Sequence, residues 1–314
     1  MGERLKGKVA VVTGAGRGIG RAEALALAAE GARLVVNDLG VATDGSGASQ
    51  TPAEEVCQEI KKMGGEAVPN YASVATAEGG ENIIKTAVDS FGRIDILVNN
   101  AGILRDRMLF NMAPEEWDII MKVHLYGTFN CTRPASQYMR QQRWGRIINT
   151  SSMSGLGNVG QANYSAAKEG IVGFTRTAAL DLGKYGITVN AIRPNAATRM
   201  TITEDVKNSM RKKAASMGVP SEGAEFDKFF DGFFSAKPEH IPPLVVYLAT
   251  EEAANINGRN FLINGNQLGL YSEPQVIAQI NKESGFWTVD ELIKAVPEQL
   301  TKGIVNPAPA QAQK

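Results

Sequence analysis

Residues 9–38 read VAVVTGAGRGIGRAEALALAAEGARLVVND, and this stretch decides the fold. Val9–Thr13 is a short apolar run rich in β-branched residues, the pattern of a strand buried on both faces of a parallel sheet. Gly14, Gly18 and Gly20 follow at once, and residues 21–30 form an alanine-rich helix whose small side chains let it lie close on a sheet. Strand, glycine turn and helix start together make a phosphate cradle. The glycines permit a tight turn and close backbone approach, and the helix N-terminus faces the anion. A glycine pattern alone is a weak signal, but this one has a strand before it and a helix after it. Arg33–Asn37 is the second strand and ends at Asp38. An acid there accepts hydrogen bonds from an adenosine ribose diol and repels a 2′-phosphate, which favours NAD over NADP. Arg17, inside the glycine turn, is the counter-signal, since a basic side chain there pairs with that phosphate.

Strands and helices alternate from there on. Residues 39–51 are a polar, Gly- and Ser-rich loop, 52–63 an amphipathic helix and 67–71 a strand, with Ser73 and Val74 just beyond it where an adenine ring would lie. A helix over 78–91 leads to a fourth strand, 94–98, followed by Asn99-Asn100-Ala101-Gly102. Residues 114–142 read as one long helical segment containing His124, and Gly145–Thr150 as the fifth strand. A helix over 161–185, a sixth strand over 187–192, a helix over 240–250 and a last strand over 258–263 complete the pattern. The alternation predicts an α/β fold, a single-domain doubly wound (Rossmann-type) parallel sheet with helices on both faces. Gly14, Asp38, Ser73 and Asn99 all fall at strand ends, on the carboxyl edge where ligands bind in such sheets.

The chemistry-bearing segment is SSMSGLGNVGQANYSAAK, residues 151–168. Tyr164 and Lys168 lie one helical turn apart on one face. A phenol beside a fixed ammonium is an acid–base device: bringing Tyr from about 10 towards neutrality takes about 4 kcal/mol, and a unit charge about 4 Å away supplies about that at an effective dielectric of about 20. Alone, Tyr-x-x-x-Lys more often marks an ordinary helix with a solvated lysine. Ser151 and the glycine turn upstream are what change its weight.

The chain has 314 residues, 43% hydrophobic and 21% charged, with as many basic as acidic residues. No basic excess exists to form a phosphate-binding face, which argues against nucleic acid or a membrane surface as partner. Cys57 and Cys131 are far apart in sequence and form neither a disulfide framework nor a zinc motif, so no metal is expected. The N-terminus lacks a secretory apolar core, no apolar run spans a bilayer, and the C-terminal residues are not a peroxisomal address; a cytoplasmic enzyme is expected. Residues 1–270 are read as the dinucleotide-binding domain, 271–302 as a C-terminal extension packing on the domain or a dimer partner, and 303–314 as a disordered tail rich in Pro, Ala and Gln. Within the domain, 200–238 is a polar excursion carrying Met200, Met210, Met217, Phe226, Phe229, Phe230, Phe233 and Phe234. It reads equally as a substrate lid or as a helical hairpin that only packs on the core. Thr288 and Glu291 stand in capping-box spacing.

Together, Thr13-Gly-x-x-x-Gly-x-Gly20, Asn99-Asn-Ala-Gly102, Ser151 thirteen positions before Tyr164, and Tyr164-x-x-x-Lys168 resemble the short-chain dehydrogenase/reductase superfamily over about residues 5–270. The resemblance implies Tyr164 as general acid/base, Ser151 orienting the substrate oxygen, and Lys168 lowering the Tyr pKa and holding the nicotinamide ribose. It implies a cofactor site built by Gly14, Arg17, Gly18, Ile19 and Gly20, then Asp38, Leu39, Ser73 and Val74. Asn99, Ala101 and Gly102 continue it, with Pro194, Ala197 and Thr198 beyond the sixth strand. His124 stands where the superfamily carries an Asn, and Asn195 where it carries a Gly; His124 is read as taking over the Asn's relay role. The segments NDLG, NNAGILRDR, EEWDII, GQANYSAAK and PNA-x-x-RMT resemble the (3R)-hydroxyacyl-CoA dehydrogenase domain of peroxisomal multifunctional enzyme type 2 and free-standing bacterial relatives, including those acting on CoA thioesters of steroid side chains. The branch implies an acyl-CoA thioester as substrate and a homodimer, or a tetramer, as the assembly. The rival readings are an NADPH-dependent 3-oxoacyl-ACP reductase, a dehydrogenase of a free steroid or other secondary alcohol, and a non-catalytic partner subunit. Lys207, Arg211, Lys212 and Lys213 are candidates for a CoA phosphate, although a solvated helix face is the plainer account of them.

Overall fold

In the computed structural model, which describes residues 2–47, 49–198, 204–216, 220–233 and 236–306, Val9–Thr13 forms strand β1 with every residue buried. Helix α1 (Gly18–Ala29) follows, then β2 (Arg33–Asn37), α2 (Thr51–Lys62), β3 (Ala67–Asn70), α3 (Ala77–Phe91) and β4 (Ile96–Asn99). The second half adds α4 (Pro114–Met121), α5 (Gly127–Gln142), β5 (Gly145–Thr150), α6 (Ala162–Gly183) and β6 (Ile187–Asn195). Next come α7 (Glu204–Ser216), α8 (Gly223–Phe233), α9 (Pro242–Ala249), β7 (Asn260–Asn264) and β8 (Gln267–Leu270). Two compact units result, Met1–Tyr271 and Ser272–Lys314.

The sheet of the first unit has strand order β3-β2-β1-β4-β5-β6-β7-β8. Every pairing through β7 is parallel, and β8 returns antiparallel to β7. Alternate side chains point to opposite faces. Ala10 and Val12 of β1 enter the layer with Ala24 and Leu27 of α1, Val56 and Ile60 of α2, and Leu244 and Leu248 of α9. Val9 and Val11 face Ile83 and Ile84 of α3, Cys131 and Ala135 of α5, and Leu182 of α6. This is the doubly wound sheet expected, with the order reversing between β1 and β4, where a crevice opens at the carboxyl edge.

Three departures from the sequence reading matter. The helical segment over 114–142 is not uniform: Lys122–Tyr126 is a π-helical turn with His124 at its centre. β6 runs on to Asn195, carrying Pro194 and Asn195 into the sheet as partners of Ile263 and Asn264. β8 was not foreseen, since Gln267–Leu270 is exposed on most of its length and a solvated edge strand lacks the buried pattern by which strands are recognised.

The second unit contains α10 (Val289–Ala295). Its capping box is formed as expected: Thr288 Oγ1 accepts from Glu291 N (3.3 Å), and Glu291 Oε2 accepts from Thr288 N (2.8 Å). Of the tail 303–314, residues 307–314 lie outside the described residues. Among the described residues no helix is long and apolar enough to cross a membrane.

One core group runs against the hydrophobic pattern. Glu23 of α1 is fully buried, and neither carboxyl oxygen meets a hydrogen-bond partner among the described residues. Burial pushes its pKa from 4.5 up to about 8. Between these values the folded chain holds a proton that the unfolded chain has released. The stability this group contributes is therefore full below 4.5 and lost as pH rises through 8. Glu23→Met is expected to raise Tm by about 3–6 °C at about pH 8.5 and by clearly less at about pH 5.5, read by thermal unfolding. An equal gain at both values would contradict the buried-carboxyl account.

Candidate active site

The glycine turn is built by contacts that leave no room for side chains. A Cβ at Gly14 would lie 2.8 Å from Ala101 Cα, and one at Gly20 would lie 2.4 Å from Gly14 O. The Asn100 amide donates to Thr13 O (2.9 Å) and Gly14 O (3.1 Å), while Thr13 Oγ1 accepts from Asn100 N (3.0 Å) and Ala101 N (3.1 Å). The Asn99–Gly102 segment is thereby locked against the turn. Arg17 caps α1 without any side-chain hydrogen bond, and the first turn carries no acid. The free N–H groups at this end suit a pyrophosphate. Ile19 packs partly buried against the core, and the Arg17 side chain is exposed. Asp38 uses both oxygens to fix the backbone, accepting from Gly16 N (2.7 Å) and Gly40 N (2.6 Å). Its charge is thus held at the end of β2 beside the turn, with Leu39 exposed next to it.

The remaining cofactor candidates divide. Val74 is buried, its carbonyl accepts from Asn130 Nδ2 (2.9 Å), and Ser73 Oγ accepts from Ala75 N (3.2 Å). Thr198 stands opposite the turn, its Cγ2 3.8 Å from where a Gly18 Cβ would be. Ala197 N donates to Ala236 O (2.7 Å), which joins the two ends of the excursion. Asn99 does not present its side chain to the crevice. Its Nδ2 donates to Thr132 Oγ1 (3.0 Å) and Asn149 Oδ1 (2.9 Å), part of a buried polar ladder between β4, β5 and α5. Gly102 is required for a different reason, since its Cβ would lie 2.6 Å from His124 Cε1. Among the described residues no cluster fit to hold a metal ion occurs.

At the end of β5, α6 is clamped twice. Lys168 Nζ donates to Thr150 O (2.6 Å), and Ser151 Oγ donates to Lys168 O (2.8 Å). Ser151 is 2% exposed, so its hydroxyl is spent inside this clamp. The hydroxyl that meets the phenol of Tyr164 is that of Ser152. Ser152 Oγ also accepts from Ser154 N (3.1 Å), where a short 3₁₀ turn begins. That N–H occupies a lone pair and leaves the hydroxyl proton for Tyr164. Ser151 thus bonds α6, and the serine that meets Tyr164 is Ser152.

The electrostatics also differ from the expectation. Lys168 was to lower the pKa of Tyr164, yet burial, with the charge of Asp106 adding to it, pushes Tyr164 up to about 12; only Ser152 acts in the other direction. Lys168 itself is driven down by burial to about 7. Its Nζ lies 5.5 Å from the centre of the Tyr164 ring, near enough for its charge to act on the phenol.

His124 is 2% exposed and packs edge-on against the Tyr164 ring, with centroids 5.1 Å apart. Nε2 lies 2.8 Å from Ile103 O and 3.2 Å from Ile103 N, and Nδ1 meets no partner among the described residues. Burial, and then the charge of Lys168, hold its pKa well below 6.5, which favours the neutral ring. His124 thus touches the ring of Tyr164, and a proton passing through the imidazole would have to charge it against both effects.

The excursion residues form a small core of their own. Ala214, Phe226 and Phe230 are buried, with Val206 and Met210 against them. Lys207 pairs with Asp227 (2.7 Å), and Arg211 bonds Asn208 (2.9 Å) and lies over Phe226. Met200, Met217 and Phe234, and the side chains of Phe233, Lys212 and Lys213, lie outside the described residues. A groove of about 840 Å³ lined by Arg21, Leu25, Met63, Pro242, Val246 and Tyr247 contains none of the site residues.

The profile of the family described as short chain dehydrogenase matches residues 8–209. The chain is 46% identical to the peroxisomal multifunctional enzyme type 2 of Mus musculus over 85% of its own length but 33% of that protein's. It is 41% identical to hydroxyacyl-CoA dehydrogenase ChsB1 of Mycobacterium tuberculosis over 92% of this chain and 87% of that one. A 3-oxoacyl-[acyl-carrier-protein] reductase of Synechocystis is 42% identical over 84% and 98% of the two chains. A crystal structure of a short chain dehydrogenase from Mycobacterium avium superposes with a TM-score of 0.79 at 43% identity, covering 99% of this chain and 100% of that one.

The two serines are expected to separate on stability. Ser151→Ala removes one of the two bonds of the clamp, while the Lys168 carbonyl keeps its helical partner in α6, and is expected to cost about 1–1.5 kcal/mol in denaturant unfolding. Ser152→Ala is expected to cost less than about 1 kcal/mol. Equal losses would contradict the different placements.

Proposed function

Because the chain belongs to the short-chain dehydrogenase family, we propose that it interconverts a secondary alcohol and a ketone with NAD, and that the substrate is a (3R)-3-hydroxyacyl-CoA thioester. The observation that carries the reaction is the meeting of the Tyr164 and Ser152 hydroxyls one turn from Lys168, at the sheet edge that also holds the glycine turn. Gly14 and Gly20, the uncapped start of α1 and Asp38 are the groups fit to hold a dinucleotide. When bound, the oxidised cofactor supplies the hydride acceptor and a positive charge on its ring.

Tyr164 takes the hydroxyl proton of the substrate as a phenolate. Ser152, its lone pair held by Ser154 N, donates to the developing oxygen charge. Bringing Tyr164 from about 12 to neutrality takes about 6–7 kcal/mol. One positive charge at about 5.5 Å contributes about 3 kcal/mol at an effective dielectric of about 20. Lys168 alone falls short, and a cationic nicotinamide ring, if held by the glycine turn, would add to its effect. Binding of the cofactor would in this way help make Tyr164 a base. His124 packs edge-on against the Tyr164 ring, and its unpartnered Nδ1 is placed to hold a water.

The preference for NAD is supported by Asp38, which ends β2 beside the glycine turn and whose carboxylate would repel a 2′-phosphate there. The acyl-CoA reading is supported by the likeness to ChsB1 along nearly the whole of both chains. The second reading, an NADPH-dependent 3-oxoacyl-ACP reductase, is supported by the Synechocystis relative and opposed by Asp38. Free steroids and other secondary alcohols are the third substrate class to be compared.

The test is NADH formation by purified protein with 3-hydroxyacyl-CoA esters of both configurations, run beside acyl-carrier-protein thioesters and free alcohols, with NADP as second cofactor. Activity confined to (3R)-CoA esters with NAD is expected. Preference for NADPH with the carrier-protein thioester would overturn the proposal. Tyr164→Phe is expected to leave the NAD Kd within about twofold while removing turnover. Ser152→Ala is expected to lower kcat by about 100- to 1000-fold, and Ser151→Ala by less than about tenfold. Retained turnover in Tyr164→Phe would sink the assignment.

A further inference from the structure

The strand β6 carries a charge where its neighbours are apolar. Arg193 stands in Ile187–Asn195, ITVNAIRPN, and is 1% exposed. A guanidinium at that depth is tolerable only when its donors are satisfied, and here they are. Nη1 donates to the carbonyl of Ser152. Nη2 donates to Glu169 Oε2 (2.7 Å), on the residue that follows Lys168 in α6. The oxygen of the Asn260 amide, oriented by this network, accepts from Nε (2.8 Å) and Nη2 (3.2 Å). The Tyr271 ring covers the guanidinium at 4.9 Å.

These partners belong to four separate pieces of the fold: the turn after β5, the body of α6, β7, and the residue just beyond β8. A rigid planar fork with five fixed donors is suited to hold such pieces in one register, and a lysine is not. The turn above is packed directly on the pair. A Cβ at Gly155 would lie 2.8 Å from Arg193 Nη1 and 2.9 Å from Glu169 Oε2. The Ser152 carbonyl is thus held from below by Arg193, and the Ser152 hydroxyl from the side by Ser154 N. Together the two contacts fix both ends of the residue that faces Tyr164.

We propose that Arg193, braced by Glu169, is a positioning residue that sets the Ser152 hydroxyl against Tyr164 and the substrate oxygen. It touches neither substrate nor cofactor and acts through Ser152. The proposal rests on the reading of Ser152 given above. Small displacements of a reacting group are costly, with about 1 Å worth up to about 100-fold in rate.

The experiment is a kinetic double-mutant cycle between Arg193 and Ser152, with NAD binding measured separately by fluorescence titration. Arg193→Met is expected to lower kcat by about 10- to 100-fold, with KM for the alcohol within about threefold and the NAD Kd within about twofold. Arg193→Lys, which keeps the charge and one donor, is expected to recover part of the loss. In the Ser152→Ala background, Arg193→Met is expected to cost less than about twofold more, because the group it positions is gone. If Arg193→Met does not fold, Glu169→Gln at the half-exposed partner carries the same cycle, with an expected fall of about 3- to 10-fold that vanishes in Ser152→Ala. Equal factors in both backgrounds, an unchanged kcat in Arg193→Met, or a matched loss of NAD affinity would overturn the proposal and leave the reading of Ser152 intact. Wild-type kcat in Ser152→Ala alone would overturn that reading, and the role of Arg193 with it.

Discussion

The reciprocal clamp between the end of β5 and the middle of α6 is the contact on which the site depends. Lys168 sends its ammonium to the carbonyl of Thr150 and receives at its own carbonyl the hydroxyl of Ser151. Two hydrogen bonds of opposite sense between the same short segments fix both the rotation and the height of the helix. Tyr164, one turn earlier, then has a defined position above Ser152, and His124 has a ring edge to pack against. The clamp stands on a sheet with polar bonds of its own. The ladder from Asn99 through Asn149 to Thr175 holds β4, β5 and α6 together beneath it.

The energetic cost of this placement is what gives the site its logic. Sealing an ammonium and a phenol in one low-dielectric space disfavours both charged forms. Burial accordingly drives the lysine down and the tyrosine up from their ordinary values. A second positive charge at the crevice favours the phenolate directly, and the phenolate in turn favours the ammonium. The pair would respond to a positive charge held in the neighbouring cradle. Binding and activation are in this account the same electrostatic event.

Much of this was legible in the sequence, and the failures have physical reasons. The buried run Val9–Thr13 and the glycines after it gave the first strand and its turn into α1, because burial on both faces and glycine-only contacts leave strong local signatures. Counting back from Tyr164 measures loop length and does not tell Ser151 from Ser152. Neighbouring side chains leave the chain on opposite sides as it emerges from β5, so one serine turns into α6 and the next towards the phenol. The π-helical turn at His124 has no compositional mark. The pKa of Tyr164 was read from one partner, whereas burial acts on both members of the pair. Arg193 carried a signal that went unread: a charge inside an apolar strand, with Glu169 beside the lysine of the motif. In a buried strand that charge must find partners, and here the partners are the site itself.

The claim that occupancy of the cradle switches the tyrosine is tested most directly by an ultraviolet difference titration of wild type against Tyr164→Phe, with and without saturating NAD, read at the phenolate band. The account predicts no Tyr164 ionisation below about pH 10 in the free protein and a transition displaced by several pH units towards neutrality in the binary complex. The same transition in both states would contradict it, and would mean that the clamp alone sets the acidity of Tyr164.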